Sequence, residues 1–456
     1  MSTPTPTGAL LDEAQAFLAA HPQVQAIDVV LSDLHGIGRG KIIRRHELEG
    51  LYTAGRGMPG ALFAQGIDGV DVADALAQHA ADGGDSRCWP VPGSLGFMPA
   101  TGRGVVLVQM FGADGASYHS DPRGAMMAQV ARAQALGWQP MGAMELEFYL
   151  TDRGHDGQGA PLSPRAPLTG RRLAGNNCMS VDELDEMSPF FDDVYAGARA
   201  LGLPLETVIS EYAQGQFELT LQYRALDRAA DDIVLAKRLL RATARRHGFE
   251  ACFMAKPFGA RSGSGMHLHL SLADAAGQNL FADPAEGGLA PMLLAAIGGV
   301  RASMGDSMLA LAPGLNSWRR FANTVYSPAT NSWAVEDRGV ALRVPGGQGG
   351  SRHFEHRVAG VDANPYLCAA ITLGAALDGI TKALQPGAPG LGGAADLPPL
   401  PDHWQAAIAQ FQAAPSMVRL LGPQLHAGFS ALKMAEAAQL AATVTDAEWQ
   451  LYGFRV

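Results

Sequence analysis

The sequence predicts an α+β fold, with a small β-rich N-terminal domain ahead of a larger domain of antiparallel strand pairs and outer helices. Three observations predict it. Short period-2 alternation dominates as far as Phe111, and from Asp121 onward single strands alternate with helical stretches. Hydrophobic residues make up 47% of the 456 and charged ones 17%, the composition of a folded globular chain. That length accommodates two or three domains.

The first helix is predicted from Ala9 to Ala20, with Leu10, Leu11, Ala14, Phe17 and Leu18 on one face. In I-D-V-V-L-S-D-L-H-G-I-G-R-G-K-I-I, Ile27, Val29 and Leu31 alternate, Leu34-His35-Gly36 turns, and Lys41 to Ile43 returns as a second strand. Arg56 to Gly60 and Val91 to Pro99 read as loops because glycine and proline punctuate them. Beyond Asp121, helices are predicted over Arg123 to Leu136, Phe190 to Leu201 and Ala230 to His247. Met141 to Leu150 and Met266 to Leu272 alternate as strands, and Thr207 to Tyr212 pairs with Gly215 to Gln222 across Ala213-Gln214-Gly215. Antiparallel pairs beside helices argue for α+β rather than a doubly wound sheet. Gly387 to Pro401 reads as a surface loop.

Charge and cysteine usage exclude several function classes. Acids outnumber bases by 44 to 34, giving a formal charge of -10, the reverse of a nucleic-acid binder's basic stripe. Cys88, Cys178, Cys252 and Cys368 are scattered without a C-x-x-C pair, which predicts reduced thiols of a cytoplasmic protein. The N-terminus has no basic region followed by an apolar one. The apolar run around Pro291 to Val300 is too short for a bilayer. The expectation is a soluble protein with neither nucleic-acid nor membrane partners.

The chemistry concentrates in four stretches. M-E-L-E-F-Y-L places Glu145 and Glu147 two apart, on the same side of a strand. Like charges so placed repel unless a cation lies between them, although a solvent-facing strand edge accounts for them equally well. E-Y-A-Q-G-Q-F-E adds Glu211 and Glu218 around a turn, which could converge on one point or simply end a hairpin. In S-G-S-G-M-H-L-H-L-S, His267, His269 and Ser271 share one strand face, and Gly263 and Gly265 allow close backbone approach. R-H-F-E-H-R sets Glu355 and Arg357 on one face, and Arg320, Arg338 and Arg343 add fixed positive charge. Surface salt bridges are the bland account of these arginines, each worth little. Oxygen-rich ligation with little sulfur suits magnesium or manganese, and arginine forks suit carboxylate and phosphate.

These motifs, with D-P-R at Asp121 to Arg123 and D-A-N-P-Y-L at Asp362 to Leu367, occur in an order that resembles the glutamine synthetase family over the whole chain. Ser262 departs from the residue usual in the K-P-F-G-A-R-S-G-S-G-M-H-L-H-L-S signature. The resemblance implies a β-grasp-like N-terminal domain over residues 1–112 and a catalytic domain over 113–456, built on a curved antiparallel sheet with helices outside. It implies that Glu147, Glu211 and Glu218 hold one metal ion and Glu145, His267 and Glu355 a second, with two or three Mg2+ or Mn2+ ions per site. Gly263, His267, Arg320, Arg338 and Arg357 match glutamate-binding positions. Glu206, Tyr223, His269, Ser271, Arg338 and Arg343 match positions that bind ATP. Arg338, Asp85 and Glu355 match catalytic positions. The implied reaction is phosphoryl transfer from ATP to the γ-carboxylate of glutamate, then attack by an amine on the acyl phosphate. A ring-shaped, dodecamer-like homo-oligomer with shared active sites is part of the same implication.

Two positions depart from the ammonia-using members. Family members hold acids around ammonium, one from a neighbouring subunit's N-terminal domain. Here those positions fall at Gly66, with Asp68 nearby, and at Tyr326, six residues after Arg320. An ammonium ion without its acids loses charge-assisted hydrogen bonds of about 1.5–3 kcal/mol each, whereas a ring can face a cationic amine or pack on an alkyl chain. The expected acceptor is therefore an alkylamine or polyamine, as in the γ-glutamylputrescine branch. Ammonium-using glutamine synthesis and a non-catalytic sensing role are the alternatives. The Gly387 to Pro401 loop carries no tyrosine for adenylylation.

Overall fold

The computed structural model describes residues 5–79, 83–157, 159–283, 288–322, 326–347, 349–391 and 399–456. Residues 392–398 of the predicted Gly387 to Pro401 loop lie outside them, as do 323–325 between Arg320 and Tyr326.

A short helix, Leu11–Ala20, precedes the first sheet. That sheet comprises β1 (Ala26–Ser32), β2 (Gly38–Arg44), β3 (Arg56–Pro59), β4 (Asp85–Pro90), β5 (Gly96–Met98) and β6 (Arg103–Phe111). Its order is β2-β1-β6-β4-β3, with β5 also on β6. β1 runs parallel to β6 and antiparallel to β2. The predicted turn between β1 and β2 is built by Asp33, whose Oδ1 accepts from the main-chain N–H of His35 at 2.9 Å and of Ile37 at 2.8 Å. All seven residues of β1 are buried, not only the alternating Ile27, Val29 and Leu31. The strand lies between β2 and β6, and the polar face is closed where Asp28 receives Arg103 and Arg238.

The second sheet gathers β7 (Gln139–Asp152), β8 (Leu205–Ser210), β9 (Gln216–Leu221), β10 (Arg224–Ala225), β11 (Phe249–Cys252), β12 (Leu268–Ala273), β13 (Trp333–Val335), β14 (Leu342–Val344) and β15 (Phe354–His356). The order is β13-β14-β15-β12-β7-β9-β8, and β10 and β11 also pair with β7. Every pair is antiparallel except β13 with β14. The two faces of this sheet differ in chemistry, as period 2 requires. Met144, Leu146, Phe148, Phe217, Leu219, Leu268, Leu270 and Phe354 are buried in the core. Glu145, Glu147, Glu218, His267, His269, Arg343 and Glu355 occupy the other face by the same register.

Helices cover the apolar side. The predicted helices appear as Pro122–Ala135, Ser188–Leu201 and Leu226–Arg246. Two more, Pro291–Leu311 and Pro365–Thr381, pack on each other, the second buried along almost its whole length. D-P-R and D-A-N-P-Y-L prove to be helix starts. Asp121 and Asn364 each accept main-chain N–H groups at the N-cap, followed by proline. The long helix and the Asn364 cap also fasten the first sheet to the second layer. Asn364 Nδ2 donates to Asp33 O at 2.9 Å, and Arg228 donates to the Pro92 and Gly93 carbonyls at 2.7 Å each. Among the described residues, no helix is long and apolar enough to cross a membrane.

Candidate active site

The polar face is built from five neighbouring strands, β14-β15-β12-β7-β9. β7 supplies Glu145 and Glu147, and Glu218 on β9 stands directly across from Glu147. On the other edge of β7, the Glu145 N–H donates to His267 O at 3.0 Å and the Glu147 N–H to Gly265 O at 3.2 Å. β15 then sets Glu355 opposite His269, and β14 sets Arg343 opposite Glu355. Gly215, at φ +76, closes the turn that returns Glu218 toward Glu211. A side chain there would strain the turn.

The side chains meet closely. His267 Nδ1 lies 2.8 Å from Glu145 Oε2 and 3.3 Å from Glu355 Oε1. His269 Nε2 lies 3.0 Å from Glu145 Oε1. Glu147 Oε2 accepts from the Gly265 N–H at 2.7 Å. Arg343 Nη1 donates to Glu355 Oε2 at 3.1 Å, and Arg357 Nη1 to Glu355 Oε1. Ligand atoms of Glu145, His269 and Glu355 all lie within 4.8 Å of one another.

Charge divides this face in two. Burial pushes the Glu211 carboxyl up to about 7, and Glu147 adds to the effect. Glu218 is raised further by burial and by Glu145, Glu147 and Glu211. Burial alone would also raise Glu145, but hydrogen bonds from His267 and His269 outweigh it and hold that carboxyl well below its ordinary value. Burial likewise opposes Glu355, yet His267, His269 and Arg357 keep it low. One half of the face is therefore short of positive charge, while the other is already neutralised by imidazoles and arginines.

The remaining predicted residues take distinct places. Arg320 is buried, and its Nη1 donates to Val358 O at 2.9 Å and Ala359 O at 3.3 Å, its Nη2 to Arg357 O at 3.3 Å. It packs on Gly263, where an added Cβ would fall 2.7 Å from Arg320 Cγ. Its neighbour Arg319 faces solvent. Arg338 sits exposed on a turn, and its charge acts on Glu211. The Tyr223 hydroxyl bonds Ser271 Oγ, and Glu206 lies exposed at the irregular step in β8. Tyr326 is 64% exposed. Asp85 begins β4, and Gly66 lies in a turn where a Cβ would meet Asp68 Oδ1 at 2.9 Å. Asp68 Oδ2 accepts instead from Gln439 Nε2 at 3.3 Å. Among the described residues, no hydrogen bond or ion pair joins Gly66, Asp68 or Asp85 to the carboxylate face.

One residue escaped the sequence reading. His353 Nε2 lies 3.0 Å from His269 Nδ1, and its ring is 6.3 Å from that of Tyr223. Its place two residues before Glu355 put it on the same strand face, which was the available signal.

The model of the glutamine synthetase catalytic domain matches residues 119–452. The chain belongs to the glutamine synthetase family. It is 35% identical over 451 residues to the γ-glutamylputrescine synthetase of Escherichia coli K12, covering 97% of this chain and 95% of that one. It is 28% identical to the glutamate–isopropylamine ligase of a Pseudomonas species, covering 84% and 83% respectively. A solved GmaS–ADP complex superposes with a TM-score of 0.81 at 26% identity, over 97% of this chain and 98% of that one.

The metal expected of this family fits the residues present. The donors are carboxylate oxygens and imidazole nitrogens, the set that magnesium and manganese take. His267 Nδ1 and His269 Nε2 both face the carboxylates, Nδ1 those of Glu145 and Glu355 and Nε2 that of Glu145, and burial with like charge nearby raises both Glu211 and Glu218.

Proposed function

We propose that the chain is an ATP-dependent ligase that joins the γ-carboxyl of glutamate to an alkylamine or polyamine of the putrescine type, through a γ-glutamyl phosphate. The observation that carries the reading is the single sheet face where carboxylates, imidazoles and arginines converge. Relatives named for glutamate–amine ligation support the choice of acceptor. Tyr326, where a carboxylate would serve ammonium, supports it from the residues.

In this reading Glu147, Glu211 and Glu218 hold one divalent ion, and Glu145, His267 and Glu355 a second, with His269 within reach of the latter. Bound Mg2+ or Mn2+, two or three ions in all, supplies positive charge against the phosphates of ATP and the γ-carboxylate. Arg338 and Arg343 take the transferred phosphoryl group's charge, and Arg320 and Arg357, beside Gly263 and His267, take the glutamate carboxylates. His269, Ser271, Tyr223 and Glu206 line the nucleotide end. Tyr326 and Gly66 shape the amine pocket, where Asp85 serves as the acid nearest the incoming amine.

The same reading divides the chain at residues 112 and 113. It takes the N-terminal unit as β-grasp-like, supported by its mixed sheet with β1 parallel to β6. It includes a ring-shaped homo-oligomer with active sites shared between neighbours, and a cytoplasmic location consistent with four free cysteines.

The test is ADP release with glutamate and, in turn, ammonium, methylamine, ethanolamine, putrescine and spermidine. Turnover with one or more amines and little with ammonium is expected. Turnover with ammonium alone would return the chain to glutamine synthesis, and silence with every acceptor would favour a non-catalytic role.

A further inference from the structure

Away from the carboxylate face, a cavity of about 550 Å³ opens between the first sheet and the long helix Leu226–Arg246. Its walls are the β1–β2 connection near Gly36–Gly38, the segment Ala100–Arg103, and one face of the helix. Arg103, Lys237, Arg238, Arg241, Arg245 and Arg246 line it, and none of its lining residues is acidic. This occurs in a chain whose formal charge is -10.

The nearby carboxylates are too few to neutralise it. Asp28 is shared by Arg103 and Arg238. Glu250 lies 3.3 Å from Arg245 and 3.8 Å from Arg153, with all three side chains largely in water, where such pairs are weak. Lys237 Nζ donates to Val361 O at 2.5 Å and Arg246 to Pro99 O at 3.2 Å, both neutral acceptors. Arg241 forms no ion pair among the described residues, and its guanidinium lies 4.6 Å over the Phe253 ring. Burial and the neighbouring Arg241 charge pull Lys237 down to about 8.

Helix energetics do not account for the cluster. Arg245 and Arg246 in the last turn favour the helix dipole. Lys237, Arg238, Arg241 and Arg245, however, stack at spacings of three and four residues, where like charges cost stability. The guanidinium forks line a volume that fits a metabolite-sized ligand. We propose that this cavity binds a small polyanion bearing two or more carboxylate or phosphate groups, separately from the site of the ligase reaction. The cavity also adjoins that site's scaffold, because Lys237 grips Val361 just beyond the Val358 and Ala359 carbonyls that hold Arg320.

The test is calorimetric titration of the full-length, metal-free protein with citrate and, separately, with fructose 1,6-bisphosphate. At least one of the two should bind once per chain, and the one that binds identifies carboxylate or phosphate as the preferred group. The double variant Arg241→Ala, Arg245→Ala should weaken that binding at least tenfold, while Arg343→Ala on the carboxylate face should leave it unchanged. Arg241→Gln alone should give the same ordering with a smaller loss, should the double variant not fold. Binding of neither probe, binding that survives the cavity substitutions, or binding lost in Arg343→Ala would each overturn the assignment.

Discussion

Under the proposed function single residues set the acceptor and the charge of the site, and two of them give measurable consequences. Tyr326 is 64% exposed at the mouth of the segment that begins with buried Arg320. Tyr326→Glu returns a carboxylate to that position, so the ratio of turnover with ammonium to turnover with putrescine should rise about tenfold, the worth of one charge-assisted hydrogen bond. An unchanged ratio in the ADP-release assay would remove Tyr326 from the acceptor pocket. Glu211 carries the second consequence. Its carboxyl is raised from 4.5 to about 7. Between those values the folded state holds a proton that the unfolded chain has lost. The contribution is thus fully present below pH 4.5 and is lost as pH rises through about 7. Glu145 and Glu355 are held low, so their contributions fade only below the ordinary carboxylate range. The melting temperature of metal-free protein should therefore fall from about pH 5 to about pH 8. Mg2+ should restore more of it at the upper end, and Glu211→Gln should make the fall shallower while the part that Glu218 contributes remains. A metal-free profile that is level across this window in scanning fluorimetry would contradict the proposed origin.

Elements position these residues, and how far they could be read from sequence depended on their patterning. β7 was legible because Glu145 and Glu147 alternate with Met144, Leu146 and Phe148, and one face is buried in consequence. D-P-R and D-A-N-P-Y-L were legible as motifs, and their physical content is the N-cap carboxylate or amide followed by proline. Pro291–Leu311 and Pro365–Thr381 are not legible as helices in the sequence. A helix buried on nearly every side has no polar stripe for periodicity to find. The parallel pairing of β1 with β6 was hidden as well, since their partners are more than seventy residues apart in sequence (Ile27 with Gly104). The stretch before β12 gives the test at this scale. An added Cβ at Gly265 would lie 2.6 Å from Arg320 Nη2 and 2.9 Å from His267 Nε2. Gly265→Ala should push the Arg320 guanidinium off its carbonyl cradle, and an overpacking cost of about 1–3 kcal/mol expressed at the proposed glutamate site corresponds to a roughly 5- to 150-fold rise in the KM for glutamate. Gly259→Ala, with nothing within 4 Å of its Cβ, should leave KM unchanged. Equal kinetics in the two variants would mean that Gly265 does not set the position of Arg320.

At the scale of the whole molecule, the residues proposed for one reaction lie in two places. The carboxylate face is built on the second sheet, whereas Asp85 lies on the first and Gly66 in a turn between its strands β3 and β4. Asp68 is turned toward Gln439, and among the described residues the first sheet is fastened by contacts such as those of Asn364 and Arg228, with no hydrogen bond or ion pair from the carboxylate face. In the proposed shared site, Asp85 acts on the amine at a carboxylate face of another copy of the chain. That requires a head-to-tail interface, which closes into a ring when the rotation allows. Two inactive variants then become complementary. Asp85→Ala disables the N-terminal contribution and Glu218→Gln the metal-binding one, so each homo-oligomer should show little turnover. Dissociated, mixed in equal amounts and reassembled, one site in four would pair two intact halves, and ~25% of the wild-type rate should return. Recovery of that order places the amine end of the reaction across a subunit boundary. No recovery from mixed assemblies of confirmed composition would confine the site to one chain and leave Asp85 without a part in it.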